Sequence, residues 1–454
     1  MEKPPIVPQS EQGHKENLLE RIFKLSERNT DVKTEVIAGL TSFMALSYIV
    51  LVIPFILSEA GIPQDAAVAA VIFSTVFCTL MFSLWANFPI TVGPGMGLIS
   101  FFTYTVVLGK GLSWQTALGA VFISGVVFFI LTITGIRRKL FDVVPPTLRS
   151  AIGVGIGIFV AFTGLKNAGI IIPSETTYVT LGPMTEPESI LGMAGLILAS
   201  ILMVKKVRGA MVISILLITV FAMGIGTTPA PQGLNDIVTL SVPDISATFL
   251  QMDLLGALKY GIISIIFSFT IVELFDNLAT LLGLSKKAGL MDEKGKIPNL
   301  NQALKADSLG TMASACFGAT ALNTYIENAT GIAEGGRTGL TALVTSGLLL
   351  LCLFLVPLVS LIPSEATAPV LILVGALMMS EIQHVSFDDF TETVPAFLTI
   401  IMMPLTFSIA EGLAFGFISY TLLKLLTGKA KGMHWAMYPI SAAFIINFIF
   451  HGSL

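Results

Sequence analysis

Three acidic side chains, Glu273, Asp276 and Glu327, sit where a free charge is costly. The first two belong to the run Ile271-Val-Glu273-Leu-Phe-Asp276-Asn277-Leu-Ala-Thr280-Leu-Leu-Gly283. Helical residues three or four apart are neighbours, so Glu273 and Asp276 lie on roughly one face. Asn277 and Thr280 extend that polar stripe, while Leu274, Leu278 and Leu281 turn elsewhere. A buried, unpaired carboxylate relieves its desolvation cost by binding a proton. Asp276, Glu327 and Glu273 are therefore candidates for proton coupling. The competing reading is structural burial of a carboxylate against Arg337 or a helix amino terminus.

Glu327 lies in the polar, glycine-rich stretch Asn323-Thr-Tyr-Ile-Glu327-Asn328-Ala-Thr-Gly331-Ile-Ala-Glu334-Gly-Gly336-Arg337-Thr-Gly339, set between strongly apolar segments. Non-helical backbone at membrane depth survives only inside protein or beside a water-filled cavity, and an ionisable residue there is a functional candidate. The Glu327 carboxylate and the Asn328 amide together offer acceptors and donors suited to a flat heterocycle. Glu334 and Arg337 fall near the end of the stretch and read as an exposed ion pair or anchor. A second broken segment runs Gly93-Pro94-Gly95-Met96-Gly97-Leu98-Ile99-Ser100-Phe101-Phe102-Thr103-Tyr104. Its glycines, Gly97 among them, allow close backbone approach. Phe101, Phe102 and Tyr104 either stack on a flat ligand or pack against neighbouring helices. The run Gly153-Val-Gly155-Ile-Gly157 has neither the spacing nor the context of a dinucleotide loop and reads as close helix packing.

The elements that carry these residues are membrane spans. Of 454 residues, 54% are hydrophobic and only 12% charged, and the mean hydropathy is +0.86; soluble domains carry about 25% charged residues. A bilayer core needs about 20 apolar residues per helix. The first half offers Val36–Leu57, Ala66–Trp85, a short Met96–Val107, Gln115–Thr134, Ala151–Leu165, Ile190–Val204 and Met211–Ile225. After a polar loop from Gly226 to Leu255, the second half offers Leu258–Leu284, Ser308–Ala319, a short Ile326–Ala333, Leu340–Leu361, Ala366–Met379, Pro395–Ile409 and Gly412–Leu426. The expectation is an all-α polytopic membrane protein of fourteen segments in two inverted repeats of seven. The short, glycine-flanked element is third in each half, at Gly93 to Leu98 and at Gly331 to Gly339, and matching breaks of this kind point to a transporter's binding site.

Charge orients the map. With the amino terminus inside, cytosolic loops hold Arg137-Arg138-Lys139, Lys205-Lys206-Arg208, Lys286-Lys287 with Lys294 and Lys296, and Lys429 with Lys431, whereas the outer loops hold little beyond Lys110 and Lys166. The stretch Trp435–Phe450 reads as a membrane-associated helix against the bundle, leaving both termini cytosolic. Residues 1–34 form a polar cytosolic extension without a cleavable signal; within it, Leu18 to Leu25 is an amphipathic stretch at the membrane surface. Cys78, Cys316 and Cys352 sit in apolar runs and none of the four histidines lies mid-span, so neither a disulfide framework nor a metal site is expected, nor any cofactor. A net charge of −4 argues for no nucleic-acid partner.

Longer motifs carry a resemblance. Gly95-Met-Gly-Leu98, then Phe101-Phe-Thr-Tyr-Thr-Val-Val-Leu108, Gly111-Leu-Ser-Trp-Gln-Thr-Ala-Leu-Gly119, Leu274-Phe-Asp276, and Tyr325-Ile-Glu327 with Gly335-Gly-Arg-Thr-Gly-Leu-Thr341 closely resemble the AzgA-like purine permeases of the nucleobase:cation symporter superfamily. The resemblance runs from about Thr34 to Gly428. It implies a core domain (35–135, spans one to four, and 257–361, spans eight to eleven) moving elevator-fashion against a gate domain (150–227, spans five to seven, and 366–427, spans twelve to fourteen). Residues 228–256 would be the extracellular loop and 428–454 the membrane-associated end. It also implies proton symport of a purine nucleobase into the cell, in the cell membrane, usually by a homodimer joined through the gate domain. The family's substrate carboxylates fall on Asp276 and Glu327. Members commonly have asparagine where this chain has Ile99; Ser100 follows and is the candidate replacement. Asn328 stands where serine is commoner. The two departures tilt the expected substrate toward adenine, ahead of guanine or hypoxanthine.

Two other classes bear weighing. An anion carrier of the same layout would favour uncompensated helix amino termini or a buried cation over two carboxylates. An intramembrane aspartyl protease also uses two membrane carboxylates, but its Gly-x-Gly-Asp signature is absent, so no enzymatic activity is expected. Proton and sodium coupling both stay open on the residues alone.

Overall fold

The structure, a computed structural model, describes residues 18–241, 243–259, 263–292 and 296–451; expectations for residues 1–17, 260–262, Lys294 and 452–454 lie outside them. Among the described residues nine helices are long and apolar enough to cross a membrane. Five are in the first half (Val32–Glu59, Gln64–Ala86, Trp114–Ile133, Pro146–Asn167 and Pro187–Val204). Four are in the second (Ile265–Lys287, Gly339–Ser360, Ser364–His384 and Ile409–Leu426). Shorter apolar helices, Met96–Gly109, Ala210–Ile225 and Phe390–Leu405, take the third, seventh and thirteenth places. Leu300–Phe317 and the short Asn328–Ala333 take the ninth and tenth. The architecture is thus the all-α, fourteen-segment, seven-plus-seven arrangement, and an odd number of crossings per half inverts the second.

The ninth segment starts earlier than the hydropathy pattern suggests. Its first half carries Asn301, Gln302, Lys305 and Asp307, which lower hydropathy, yet Asp307 is fully buried and faces protein. A helix wrapped by other helices has no need to satisfy lipid, so its polar face escapes a hydropathy reading.

The two broken segments meet in mid-protein. Strand β1 (Val92–Pro94) precedes the third-span helix, and strand β4 (Leu322–Thr324) precedes the tenth; between them in the chain lies a surface hairpin, β2 (Ile171–Ser174) and β3 (Tyr178–Leu181). β1 and β4 pair antiparallel, with Val92 opposite Thr324, Gly93 opposite Asn323 and Pro94 opposite Leu322. Each strand supplies the backbone partners that the other lost on leaving its helix. The glycine-rich end of the second break, Gly331 to Gly339, is therefore not the partner of Gly93; Asn323 is. That glycine stretch instead closes the turn into the eleventh span. There Glu35 of the first span accepts from the Arg337 and Thr338 amides (2.8 and 3.3 Å) and from the Thr341 amide and hydroxyl (3.2 and 2.5 Å). The buried carboxylate thus caps the orphan donors of a buried helix start.

Three further elements bear on the expectations. The amphipathic end of the amino-terminal extension docks on protein, with Phe23 and Leu25 packed against Leu340. Glu334 pairs with Arg208 of the loop between the sixth and seventh spans instead of with Arg337, whose guanidinium donates to the Ile332 and Gly336 carbonyls. The Gly153–Gly157 region is a helix contact: a Cβ at Gly157 would lie 2.9 Å from the Gly375 carbonyl oxygen, so only glycine lets the fifth and twelfth spans approach this closely.

The last helix, Met437–His451, packs against the bundle along the whole fourteenth span and runs antiparallel to it. Ser441 bonds Thr421 (2.7 Å), Phe444 meets Phe417 (ring centroids 5.5 Å apart) and Phe448 meets Phe415 (5.6 Å). Asn447 and Phe448 reach the level of Ala410 and Glu411, at the start of that span. Its far end therefore lies beside the start of the fourteenth span.

Candidate functional site

A cavity of about 850 Å³ opens beside the β1–β4 pair. Its inner wall comes from Tyr48, Gly95–Gly97, Asp276 and Asn323–Glu327, and its opposite wall from Ile152 and Gly153 of the fifth span and Val374 and Met378 of the twelfth. Lys287, Arg149 and His384 rim its mouth. Asp276 and Lys287 are eleven residues apart on one helix, so the carboxylate lies about 16 Å below the mouth at 1.5 Å per residue.

Aromatic rings pack around Phe407, between the third, fifth and fourteenth spans. Phe407, held at a left-handed φ of 53°, stacks edge-on with Tyr104, Phe159 and Phe162 at 5.6, 5.3 and 5.8 Å. Thr105 donates to its carbonyl at 2.8 Å, and the Lys166 ammonium lies over the Tyr104 ring at 4.8 Å.

Asp276 and Glu327 both face the cavity, each tied to a neutral donor. The Asn323 amide donates to Asp276 Oδ2 at 2.5 Å, and the Tyr48 hydroxyl donates to Glu327 Oε1 at 2.6 Å. Tyr48 sits in the two-residue interruption of the first span, Ser47–Tyr48, between Val32–Leu46 and Ile49–Glu59, and its ring reaches the tenth. Among the described residues neither carboxylate joins an ion pair; the expected structural partner, Arg337, is elsewhere. Gly97 lines the wall, where a Cβ would lie 2.5 Å from Ile156 Cγ2, so a side chain there would collide with the fifth span.

The remaining candidates are placed away from the cavity. The Asn328 side chain is spent on β1's flank: its amide donates to the Thr91 and Tyr325 carbonyls and its oxygen accepts from the Thr91 amide at 2.9 Å. It fixes the broken segments to each other and has no free donor–acceptor edge beside Glu327. Ser100 returns its hydroxyl to the Met96 carbonyl at 3.0 Å, as serine does inside a helix, and Phe101 packs edge-on against Phe269 at 5.0 Å. Glu273 is fully buried behind Asp276. It accepts from Thr311 at 2.8 Å, and its second oxygen has no partner among the described residues. The stripe is thus two stripes: Asp276 and Thr280 face the cavity, whereas Glu273 and Asn277 face the ninth span.

Behind the cavity lies a network that the linear pattern did not single out. Arg137 donates to Asp307 Oδ2 at 2.6 Å and to the Leu304 carbonyl, with its guanidinium 4.1 Å from the Phe128 ring. Asn277 donates to Asp307 Oδ1, and its own oxygen accepts from the Thr324 amide and hydroxyl. The chain Arg137–Asp307–Asn277–Thr324 therefore ends on β4, one residue from Asn323. Tyr325 ties the same strand to β1 by donating to the Pro94 carbonyl at 2.7 Å.

A model of the permease family matches residues 33–415 of the chain. The chain belongs to that family. Adenine permease AdeP of Escherichia coli is 40% identical over 435 residues, 96% of this chain and 97% of its own. Guanine/hypoxanthine permease PbuO of Bacillus subtilis is also 40% identical, across 94% and 98%. The likeness inferred from the motifs holds over nearly the whole chain. Among solved structures, the transmembrane domain of the cyanobacterial bicarbonate transporter BicA superposes with a TM-score of 0.60 at 15% identity, covering 85% of this chain and 97% of that one. At such identity the likeness speaks for the fold alone. The protein is a multi-pass membrane permease.

Proposed function

We propose that this permease imports a purine nucleobase by proton symport. The observation that carries the reading is the pair Asp276 and Glu327: two carboxylates facing one cavity, each held by a neutral donor and, among the described residues, neither by a cation. Neutral donors orient a carboxylate without cancelling its charge; a proton does cancel it, which makes proton uptake the natural companion of ligand binding. The free oxygens accept N–H groups, and a purine ring carries such groups on more than one edge. Relatives of 40% identity named for adenine and for guanine/hypoxanthine support this substrate class. Adenine is our preferred substrate within it. Two carboxylates also oppose an anion as cargo, although the fold is shared with a bicarbonate transporter.

The cavity wall supports an elevator-type movement. One side is built from spans one, three, eight and ten, the other from spans five and twelve, as a core domain (35–135, 257–361) sliding past a gate domain (150–227, 366–427) requires. The mouth is at the Lys/Arg-rich face, so the state is inward-open in a cell membrane oriented by the positive-inside rule. In that orientation the amino terminus is cytosolic and the final helix crosses to the outside. A homodimer joined through the gate domain completes the proposal.

The test is uptake of radiolabelled adenine, guanine and hypoxanthine into proteoliposomes, with and without an inward pH gradient. The expected result is gradient-dependent uptake that Asp276→Ala and Glu327→Ala abolish while still inserting. Uptake indifferent to the gradient, or intact in either variant, would overturn the mechanism.

A further inference from the structure

The geometry points to Tyr48 as the residue that positions Glu327 for the ligand and biases the site toward purines presenting a single N–H to it. This rests on the cavity being a purine site and goes beyond it. Glu327 lies three residues after the end of β4 and is the N-cap of the short helix Asn328–Ala333, where its side chain makes no capping bond. Its own backbone N–H is the local partner of the carboxylate, but a contact within one residue does not fix so flexible a side chain against the tenth span's neighbours. Tyr48 does. Its ring is fully buried and has only two torsions, so its hydroxyl is a fixed point in the cavity wall, 2.6 Å from Glu327 Oε1. The contact joins the break in the first span to the break in the tenth, so the carboxylate is set before any ligand arrives.

The same bond limits what Glu327 can offer. With the phenol on Oε1, Oε2 is the oxygen that has no side-chain donor among the described residues. A ligand edge with one N–H is served by Oε2 alone and depends on Tyr48 for alignment. The N1–H and N2–H edge of guanine is a parallel double donor that aligns a carboxylate by itself, as bidentate pairs do, and here it must share Oε1 with the phenol. Removing the hydroxyl therefore handicaps adenine and hypoxanthine more than guanine.

Tyr48→Phe deletes one oxygen and keeps the ring. In the proteoliposome assay the KM for adenine and hypoxanthine is expected to rise about tenfold, as loss of one hydrogen bond to a charged group implies. The guanine KM should change by less, and the maximal rate should stay within about twofold because the hydroxyl acts on alignment and not on the moving interface. An unchanged KM for all three purines, an equal rise for all three, a fall in maximal rate alone, or a variant that fails to fold would each overturn the assignment. Wild-type protein that takes up no purine sinks the function itself, an outcome read in the same assay before any variant is compared.

Discussion

Gly93 lies opposite Asn323 in the antiparallel pair that joins the two broken segments, and through Asn323 that register reaches Asp276. A Cβ at Gly93 would stand 2.7 Å from Thr75 Oγ1 and 2.9 Å from the Tyr325 hydroxyl. Gly93→Ala is expected to cost about 1–3 kcal/mol through overpacking and to weaken purine uptake by displacing β4. Thermal unfolding in detergent and uptake, measured on one preparation, check both; wild-type values for both would mean the strands tolerate separation.

Arg137 and Asp307 form an ion pair with side chains 1% and 0% exposed. Breaking such a pair from one side leaves a buried charge without compensation, which typically costs about 3–5 kcal/mol. Arg137→Met should therefore lower the melting temperature sharply, and adding Asp307→Asn should recover much of the loss. No recovery in the double variant would mean that the guanidinium's packing on Phe128, and not its charge, is what the fold uses.

Asp389 caps the helix Phe390–Leu405 and is held well below the usual carboxylate range, first by the Lys429 ammonium and then by Thr391. A depressed carboxylate contributes stability that is present above its unfolded value, about 3.9, and is lost as pH falls toward the folded one. Protection factors for amide exchange in the turn after Thr427, each taken against the intrinsic rate at its own pH, should therefore be unchanged between neutral pH and about pH 5 and fall below about pH 4. Asp389→Asn should show the faster exchange already at neutral pH.

The antiparallel course of Met437–His451 along Ile409–Leu426 predicts that the carboxyl terminus is outside. In a background lacking Cys78, Cys316 and Cys352, an impermeant maleimide applied to intact cells should label a cysteine appended after Leu454 and leave Lys431→Cys untouched. The reverse pattern would mean that the helix does not cross.

Much of this was legible in the chain. Long apolar runs announce membrane spans because lipid leaves no alternative, and two breaks at matching places announce the cavity they line, because backbone leaves a helix at that depth only for a reason. Asp276 and Glu327 were legible for the same cause: an acid in apolar surroundings is conspicuous. What only the tertiary structure decided is which neighbours those acids have. Side-chain spacing put Glu273 and Asp276 on one stripe, but a face of a helix is divided by what packs on it, and here the ninth span takes Glu273 while the cavity takes Asp276. Asn328 sat beside Glu327 in sequence yet bonds Thr91, and Tyr48, 279 positions earlier, holds the carboxylate. Hydrogen bonds depend on distance in space, and a linear sequence records only distance along the chain.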